Sequence, residues 1–69
     1  MKNKLKIERA ILDITQEELA EKIGVSRQTI NSIEKNRYIP STVLALKLSR
    51  LFNKNVNEFF ELEQSDDKS

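Results

Sequence analysis

Two helix start signals and one stop signal lie close together in this chain, and they constrain the fold more than any other feature. Thr15 followed three residues later by Glu18 is the pattern of a capping box, which satisfies two free backbone donors at the start of a helix. Gly24, the only glycine, supplies a stop after barely two turns. Ser26 is placed to cap the next helix. The sequence therefore predicts two short helices joined by a turn of a few residues.

The residues between these signals suit a steep crossing of the two helices. Such a crossing needs a small residue at the contact and a conformationally permissive residue in the turn, and Ala20 and Gly24 stand in those places. The angle would be fixed by apolar contacts from Leu19, Ile23, Val25, Ile30 and Ile33. We therefore predict a helix-turn-helix motif over residues 16–35, with one side of its second helix left free.

The hydrophobic pattern predicts three further helices. An apolar stripe predicts a first helix over about Lys4–Asp13; its members are Leu5, Ile7, Ile11, Leu12 and Ile14. Pro40 ends a linking loop, and Ser41 caps a fourth helix that is apolar over so much of its circumference that we expect it in the centre of the core. A short fifth helix is expected from Val56 to Phe60.

The fold class that follows is all-α, a compact five-helix domain over residues 5–62. Leu62 extends either a last helix or a short terminal strand. Residues 63–69 are polar and acidic and are expected to form a disordered tail. We find no internal repeat and no sign of a second domain.

Composition argues against catalysis. A chain of 69 residues buries only about 60% of its unfolded surface, which leaves little room for a deep cleft. The sequence has no Cys and no His, so it lacks the commonest general base and the commonest metal ligands. Asp13 and Glu17 are carboxylates without partners that would complete an active site. We predict no enzyme activity, no catalytic residue, no metal and no cofactor.

The charge distribution indicates a polyanionic partner, and the hydropathy indicates a cytoplasmic protein. The basic start of the chain is followed by no apolar segment, and no apolar run approaches the roughly 18 residues of a membrane span. The net charge is +1, but residues 1–50 carry ten Lys and Arg against six Asp and Glu, whereas residues 51–69 carry two against five. We therefore expect a soluble protein with a basic body and no membrane partner.

The free side of the second helix of the motif carries groups that recognise bases. At about 100° per residue, Gln28 and Lys35 point straight away from the core and Asn31 lies to one side. Gln and Asn amides pair with adenine in the major groove, and the guanidinium of Arg27, at the flank, fits guanine. We predict base contacts from Arg27, Gln28 and Asn31, and double-stranded DNA as the partner. A solvated helix face is the alternative for these residues alone.

Residues around that helix suit phosphate groups. The start of the first helix of the motif presents free N–H groups and the positive end of the helix dipole. The predicted backbone contacts are Gln16, Ser26, Thr29, Lys35, Asn36, Arg37, Tyr38 and Ser41. Each alone is equally well explained as surface, but together they surround the predicted base-reading face.

Two runs in the chain resemble the Xre family, the type of the lambdoid phage repressors and Cro. They are TQEELA from Thr15 and GVSRQTINSIE from Gly24, and the loop and start of the fourth helix, Tyr38–Ser41 and Leu44–Leu46, are similar too. The resemblance covers about residues 5–60. It implies a five-helix domain that binds partly palindromic operators as a homodimer. It also implies base contacts at Arg27, Gln28 and Asn31, and phosphate contacts at Gln16, Thr29, Asn36 and Arg37.

The resemblance leads to two further expectations. Short chains of this type resemble stand-alone repressors, so the dimer interface would come from Val56, Phe59, Phe60 and Leu62; the alternative is that these aromatic residues only close the monomer core. Glu34 lies only about 70° from the inward direction and needs a partner, and the resemblance implies an ion pair with Arg9.

A competing function also fits the sequence. The acidic tail or the apolar C-terminal segment suits a protein partner, as in an antitoxin-like DNA-binding module. Such a module and a homodimeric regulator do not exclude each other.

Overall fold

The computed structural model describes residues 1–67, most of which lie in helices. The four α-helices are α1 (Leu5–Ile11), α2 (Gln16–Ile23), α3 (Arg27–Glu34) and α4 (Thr42–Phe52). Two short strands, β1 (Lys2–Asn3) and β2 (Phe60–Glu61), and two 3-10 helices, Val56–Glu58 and Gln64–Asp67, complete the described chain. None of the helices in residues 1–67 is both long enough and apolar enough to cross a membrane.

The predicted fifth helix is wrong, because residues 1–67 form four α-helices. Val56–Glu58 forms a single 3-10 turn, started by Asn55, whose backbone N–H donates to Glu58 Oε2 at 2.7 Å. The chain then becomes extended at Phe60, where it pairs with the start of the chain. Strand pairing leaves too few residues for a fifth α-helix.

Local capping signals position the motif as predicted. Thr15 Oγ1 accepts from the N–H of Glu18 at 3.0 Å, and Glu18 Oε1 accepts from the N–H of Thr15 at 2.9 Å, which confirms the capping box. Gly24 ends α2 in the left-handed region with φ +76°. Ser26 and Ser41 cap α3 and α4 through their hydroxyl oxygens. These bonds set the lengths of α2 and α3, so the turn between them stays short.

One face of each helix contributes to a single core. The buried apolar residues are Leu5, Leu19, Ala20, Ile23, Ile30, Ile33, Leu44, Leu48, Phe52, Phe59 and Phe60. α4 is less central than its composition suggests, because Val43 and Leu46 are 64% and 59% exposed. Its inward face is the narrower stripe of Leu44, Leu48 and Phe52.

α1 presents a different face to the core than its apolar stripe predicts. Ile7 and Ile11 are 57% and 64% exposed, whereas Glu8 is buried at 5% exposure. The Glu8 carboxylate accepts a hydrogen bond from Lys54 Nζ, which lies 2.9 Å from each oxygen. α1 is thus rotated so that Leu5 packs in the core and the Glu8 carboxylate meets Lys54, in the turn after α4.

The two ends of the domain are joined by an antiparallel pair of strands. β1 and β2 align Lys2 with Glu61 and Asn3 with Phe60. The sequence analysis left a terminal strand open but did not predict its partner at the start of the chain. A two-residue strand next to a helix start has no alternating pattern that would reveal it.

The aromatic residues near the C-terminus close the monomer core. Phe59 packs edge-on against Phe52, with ring centroids 5.2 Å apart, and also contacts Phe60. Phe59 and Phe60 are 1% and 6% exposed, so neither has surface to offer a second copy, contrary to the dimer interface expected for them. Val56 is half-buried, and only Leu62 of that set is well exposed.

The tail differs from the disordered segment predicted for residues 63–69. Gln64–Asp67 forms a 3-10 turn, and the amino group of Met1 lies 3.2 Å from Glu63 Oε1 and 3.1 Å from Asp66 Oδ2. These contacts hold the end of the described chain beside its start. Lys68 and Ser69 lie outside the described residues.

The Glu8–Lys54 pair yields a stability prediction. In Lys54→Met, the buried Glu8 carboxylate loses its counter-charge, so we expect the free energy of unfolding to fall by about 1–3 kcal/mol. The exposed Lys6→Met is the matched control and is expected to cost less than about 0.5 kcal/mol. Urea unfolding followed by circular dichroism measures both. Equal effects of the two substitutions would contradict a structural role for the pair.

Candidate nucleic-acid interface

α3 is held against α2 by its apolar side, and its polar side faces outward. Ile30 and Ile33 are 0% and 1% exposed, whereas Arg27 and Gln28 are exposed. Asn31 is half-buried, at the edge between the two faces. The three residues predicted to contact bases therefore lie on one helix, and two of them project freely.

A shallow depression brings together residues from α3 and the loop that follows it. It is lined by Ser26, Gln28, Thr29, Ser32, Arg37 and Tyr38. Gln28 belongs to the predicted base-contacting set, and Arg37 and Tyr38 to the predicted backbone-contacting set. The structure thus places both kinds of predicted contact side by side, although they are separated in sequence.

Two predicted backbone contacts also serve as helix caps. Ser26 Oγ accepts from the N–H of Thr29 at 3.1 Å, and Ser41 Oγ accepts from the N–H of Leu44 at 3.2 Å. Ser26 Oγ also lies 2.9 Å from the hydroxyl of Thr29. Capping uses an oxygen lone pair, so the Ser41 hydroxyl keeps its hydrogen for donation to a phosphate oxygen.

Asn36 follows α3 in the left-handed conformation, with φ +60°. Its Oδ1 accepts from Asn3 Nδ2 at 2.9 Å, and the same nitrogen donates to the carbonyl of Ile33 at 2.8 Å. Asn3 Oδ1 accepts from the N–H of Leu5 at 3.1 Å. Since the oxygen of Asn36 faces Asn3, its NH2 group is the part of the side chain left to donate to phosphate.

Asn3 is a positioning residue that the sequence analysis missed. Its amide connects β1, the start of α1 and the end of α3. An Asn side chain often accepts from the N–H two residues further on, as in an Asx turn, so its bond to Leu5 was open to prediction. Its bonds to Ile33 and Asn36 were not, because they depend on the pairing of β1 with β2.

The predicted partners Arg9 and Glu34 are in contact between α1 and the end of α3. Arg9 Nε lies 2.9 Å from Glu34 Oε2, and Nη2 donates to Oε1 at 3.3 Å. Arg9 Nη1 also donates to the carbonyl of Ile14 at 3.0 Å. The side chains are only 17% and 7% exposed. The guanidinium therefore holds the carboxylate in a fixed, bidentate geometry.

Gln16 connects this pair to Asn31, one of the residues predicted to contact bases. Its Nε2 donates to Glu34 Oε1 at 3.0 Å and to Asn31 Oδ1 at 3.3 Å. We call Arg9, Glu34, Gln16 and Asn31 the polar network. It joins three helices, and sequence analysis missed the role of Gln16 in it because the reach of a side chain from α2 to α3 depends on the crossing of the helices.

The charges around the interface are of both signs. Lys35 and Arg37 are exposed at and beyond the end of α3, next to the outward face. At the start of α2, the backbone N–H of Thr15 donates to Glu18 and lowers the pKa of that carboxyl below its usual value of 4.5. The hydrogen bond thus favours the ionised form of the Glu18 carboxyl.

Comparison with known proteins agrees with this geometry. A family model described as Helix-turn-helix matches residues 5–59, which contain all four α-helices. A protein of Methanocaldococcus jannaschii is 50% identical over 66 residues, covering 96% of this chain and 100% of the relative. One of Bacillus subtilis is 47% identical over 93% of this chain and 97% of its own length, and one of Archaeoglobus fulgidus is 41% identical over 96% and 93%. All three are described as uncharacterized HTH-type transcriptional regulators.

The polar network predicts energetic coupling between Arg9 and Glu34. Glu34→Ala leaves the guanidinium half-buried without its partner, so we expect a loss above the 0–1 kcal/mol or so that is typical of exposed ion pairs. Arg9→Ala and the double variant are expected to lose about the same amount as Glu34→Ala. Denaturant unfolding of all three measures the coupling. The exposed acid Glu21→Ala is the control, and strictly additive losses below about 1 kcal/mol would refute the coupling.

Proposed function

Because the chain belongs to the Xre-type helix-turn-helix family, we propose that it is a transcriptional repressor that binds a palindromic operator in double-stranded DNA, as a homodimer, through the major groove. Members of this family are DNA-binding regulators and not enzymes. The observation that carries the proposal is the outward face of α3, where hydrogen-bonding side chains project while Ile30 and Ile33 hold the helix in place.

Base recognition is assigned to this face. Gln28 projects from its centre and has both a donor and an acceptor, so it is matched to the N7 and N6 groups of adenine. Arg27, in the first turn, has the fork geometry that fits the O6 and N7 acceptors of guanine. An α-helix fits the width of the major groove of B-DNA, where these base edges are displayed.

Backbone contacts are assigned to donors around α3. The exposed Lys35 and Arg37 supply positive charge, and Asn36 supplies an NH2 group whose orientation is set by Asn3. Tyr38 and Ser41 add hydroxyl groups beside Thr29. Ser26 and Thr29 share a hydrogen bond between their hydroxyls, so one of these two hydroxyls keeps its hydrogen for a phosphate oxygen. Such contacts set the position of a protein on the duplex without selecting its sequence, and they make binding depend on salt.

A dimer supplies the specificity that one helix lacks. α3 has 8 residues and is therefore about 12 Å long, which spans only a few base pairs. Two copies related by two-fold symmetry would contact two half-sites about one helical turn apart, so the operator would be palindromic. Repression then requires no further activity if the operator overlaps a promoter, because the bound dimer would block the polymerase.

Two substitutions separate base recognition from backbone binding. Gln28→Ala is expected to cost about 1–3 kcal/mol at the cognate operator and to relax preference at particular base pairs, with little effect on scrambled DNA. Arg37→Ala is the matched comparison: it should weaken binding to both DNAs alike and lower the salt slope by about one phosphate contact. Titrations at several salt concentrations measure both. If Gln28→Ala lowers affinity for the two DNAs equally, α3 is not the element that selects the sequence.

The assembly is tested by sedimentation and footprinting. We expect a dimer that protects two half-sites about 34 Å apart. Leu62→Asp, at the 65% exposed member of the predicted interface, is expected to shift the protein toward monomer, whereas Ile7→Asp on the outer face of α1 serves as control. A monomer bound to a single, unrepeated site would refute the dimer, and a Leu62→Asp dimer would exclude Leu62 from the interface.

A further inference from the structure

We propose that Gln16 determines the base preference of Asn31, because it holds the Asn31 amide with its oxygen toward α2 and its NH2 group free for DNA, so that Asn31 selects guanine. The inference rests on the proposed function, in which α3 lies in the major groove. It assigns Gln16 the role of a positioning residue, in place of the phosphate contact expected for its side chain.

The orientation follows from the Glu34 carboxylate. An ionised carboxylate only accepts hydrogen bonds, and Arg9 holds this one through two nitrogens. Gln16 lies 3.0 Å from Glu34 Oε1, so the atom facing Glu34 has to be its NH2 nitrogen and not its oxygen. The usual ambiguity of a side-chain amide is therefore resolved by the chemistry of its neighbour.

The orientation of the Gln16 amide in turn fixes that of the Asn31 amide. The Gln16 nitrogen also lies 3.3 Å from Asn31, and a donor there has to be matched by an acceptor, which is Asn31 Oδ1. The Nδ2 of Asn31 then lies on the other branch of the amide, and it donates no hydrogen bond to any of residues 1–67. The charge of Arg9 on α1 thus sets, through Glu34 and Gln16, the direction of the Asn31 NH2 group. The two hydrogens of this group are donors at the edge of the DNA-facing side of α3.

The network also occupies the Gln16 donors. The two hydrogens on Nε2 point to Glu34 and Asn31, and the remaining Oε1 is an acceptor. Phosphate oxygens are acceptors as well, so this side chain has nothing to offer them while the network is intact.

Guanine and adenine present different groups to the two hydrogens of Asn31 Nδ2. In the major groove guanine presents two acceptors, N7 and O6, whereas adenine presents the acceptor N7 and the donor N6. An unrestrained Asn turns its amide to match adenine with both atoms. Asn31 has its oxygen directed to Gln16, so adenine N6 would face an NH2 group and leave one donor of each partner unmatched. Guanine is expected to be favoured about 5- to 100-fold at this position.

The experiment compares the wild-type protein with Gln16→Met, which keeps the side-chain length but cannot donate. Operators are selected from a random DNA pool, and the base pair contacted by Asn31 is identified as the one at which Asn31→Ala loses preference. The ratio of Kd for adenine to Kd for guanine is then measured there. We expect about 5 to 100 for the wild type and below about 3 for Gln16→Met, with preferences at the Gln28-dependent position unchanged.

Glu17→Met is the matched control, because Glu17 is exposed on the same turn of α2 and is outside the network. It should keep the guanine preference. A Gln16→Met protein with the wild-type preference would overturn the inference, and so would a wild type that prefers adenine. Equal weakening on cognate and scrambled DNA with a smaller salt slope would show that Gln16 contacts phosphate instead. A wild type without sequence preference on duplex DNA would refute the proposed function itself.

A measurement on the unaltered free protein covers the case in which Gln16→Met fails to fold. In the network the side-chain NH2 protons of Gln16 are hydrogen-bonded, so NMR should show them exchanging with water more slowly than those of the exposed Gln28. Equal exchange of the two groups would contradict the network in solution and overturn the inference.

Discussion

The Arg9–Glu34 ion pair is the interaction on which the geometry of the candidate interface depends. It is mostly removed from water and joins α1 to the last turn of α3. Breaking it would leave a charge half-buried, which costs more than the pair contributes when intact. It fixes the last turn of α3 against α1, while the buried Ile30 and Ile33 hold the rest of the helix. Through Gln16 it also sets the direction of the Asn31 amide.

Local signals in the sequence predicted the parts of the fold that are decided within a few residues. Thr15, Glu18, Gly24 and Ser26 form their hydrogen bonds or turns with near neighbours, so their roles follow from spacing alone. The face that α1 turns to the core does not follow from spacing, because it depends on the pairing of Glu8 with Lys54, which is distant in sequence. The spacing of apolar residues does not show that Glu8 is buried, because its burial depends on the ion pair with Lys54.

The same distinction applies to the site. The outward direction of Gln28 follows from helical geometry once Ile30 and Ile33 are taken as buried, and the structure places it so. The contacts of Gln16 and Asn3 depend on which elements cross or pair near them, and no local pattern encodes this. These two residues orient the amides of Asn31 and Asn36. Sequence reasoning therefore proposed the groups that would contact DNA but not the residues that set the direction of their amides.

Amide side chains make this polarity important. A Gln or Asn amide can turn by 180° and exchange its donor for its acceptor, so an unrestrained amide matches the acceptor and donor of adenine, as proposed for Gln28. Presenting only donors requires that the amide oxygen be held elsewhere. A charged group cannot be reversed in this way, but on the face itself it would also bind any phosphate nearby. The polar network uses charges to orient an amide. The charges of Arg9 and Glu34 lie behind α3 and neutralise each other. Gln16 bonds to Glu34 and fixes which atom of the Asn31 amide is directed toward α2. At the position of Asn31, a base can in this way be selected by a neutral amide with no charge added there.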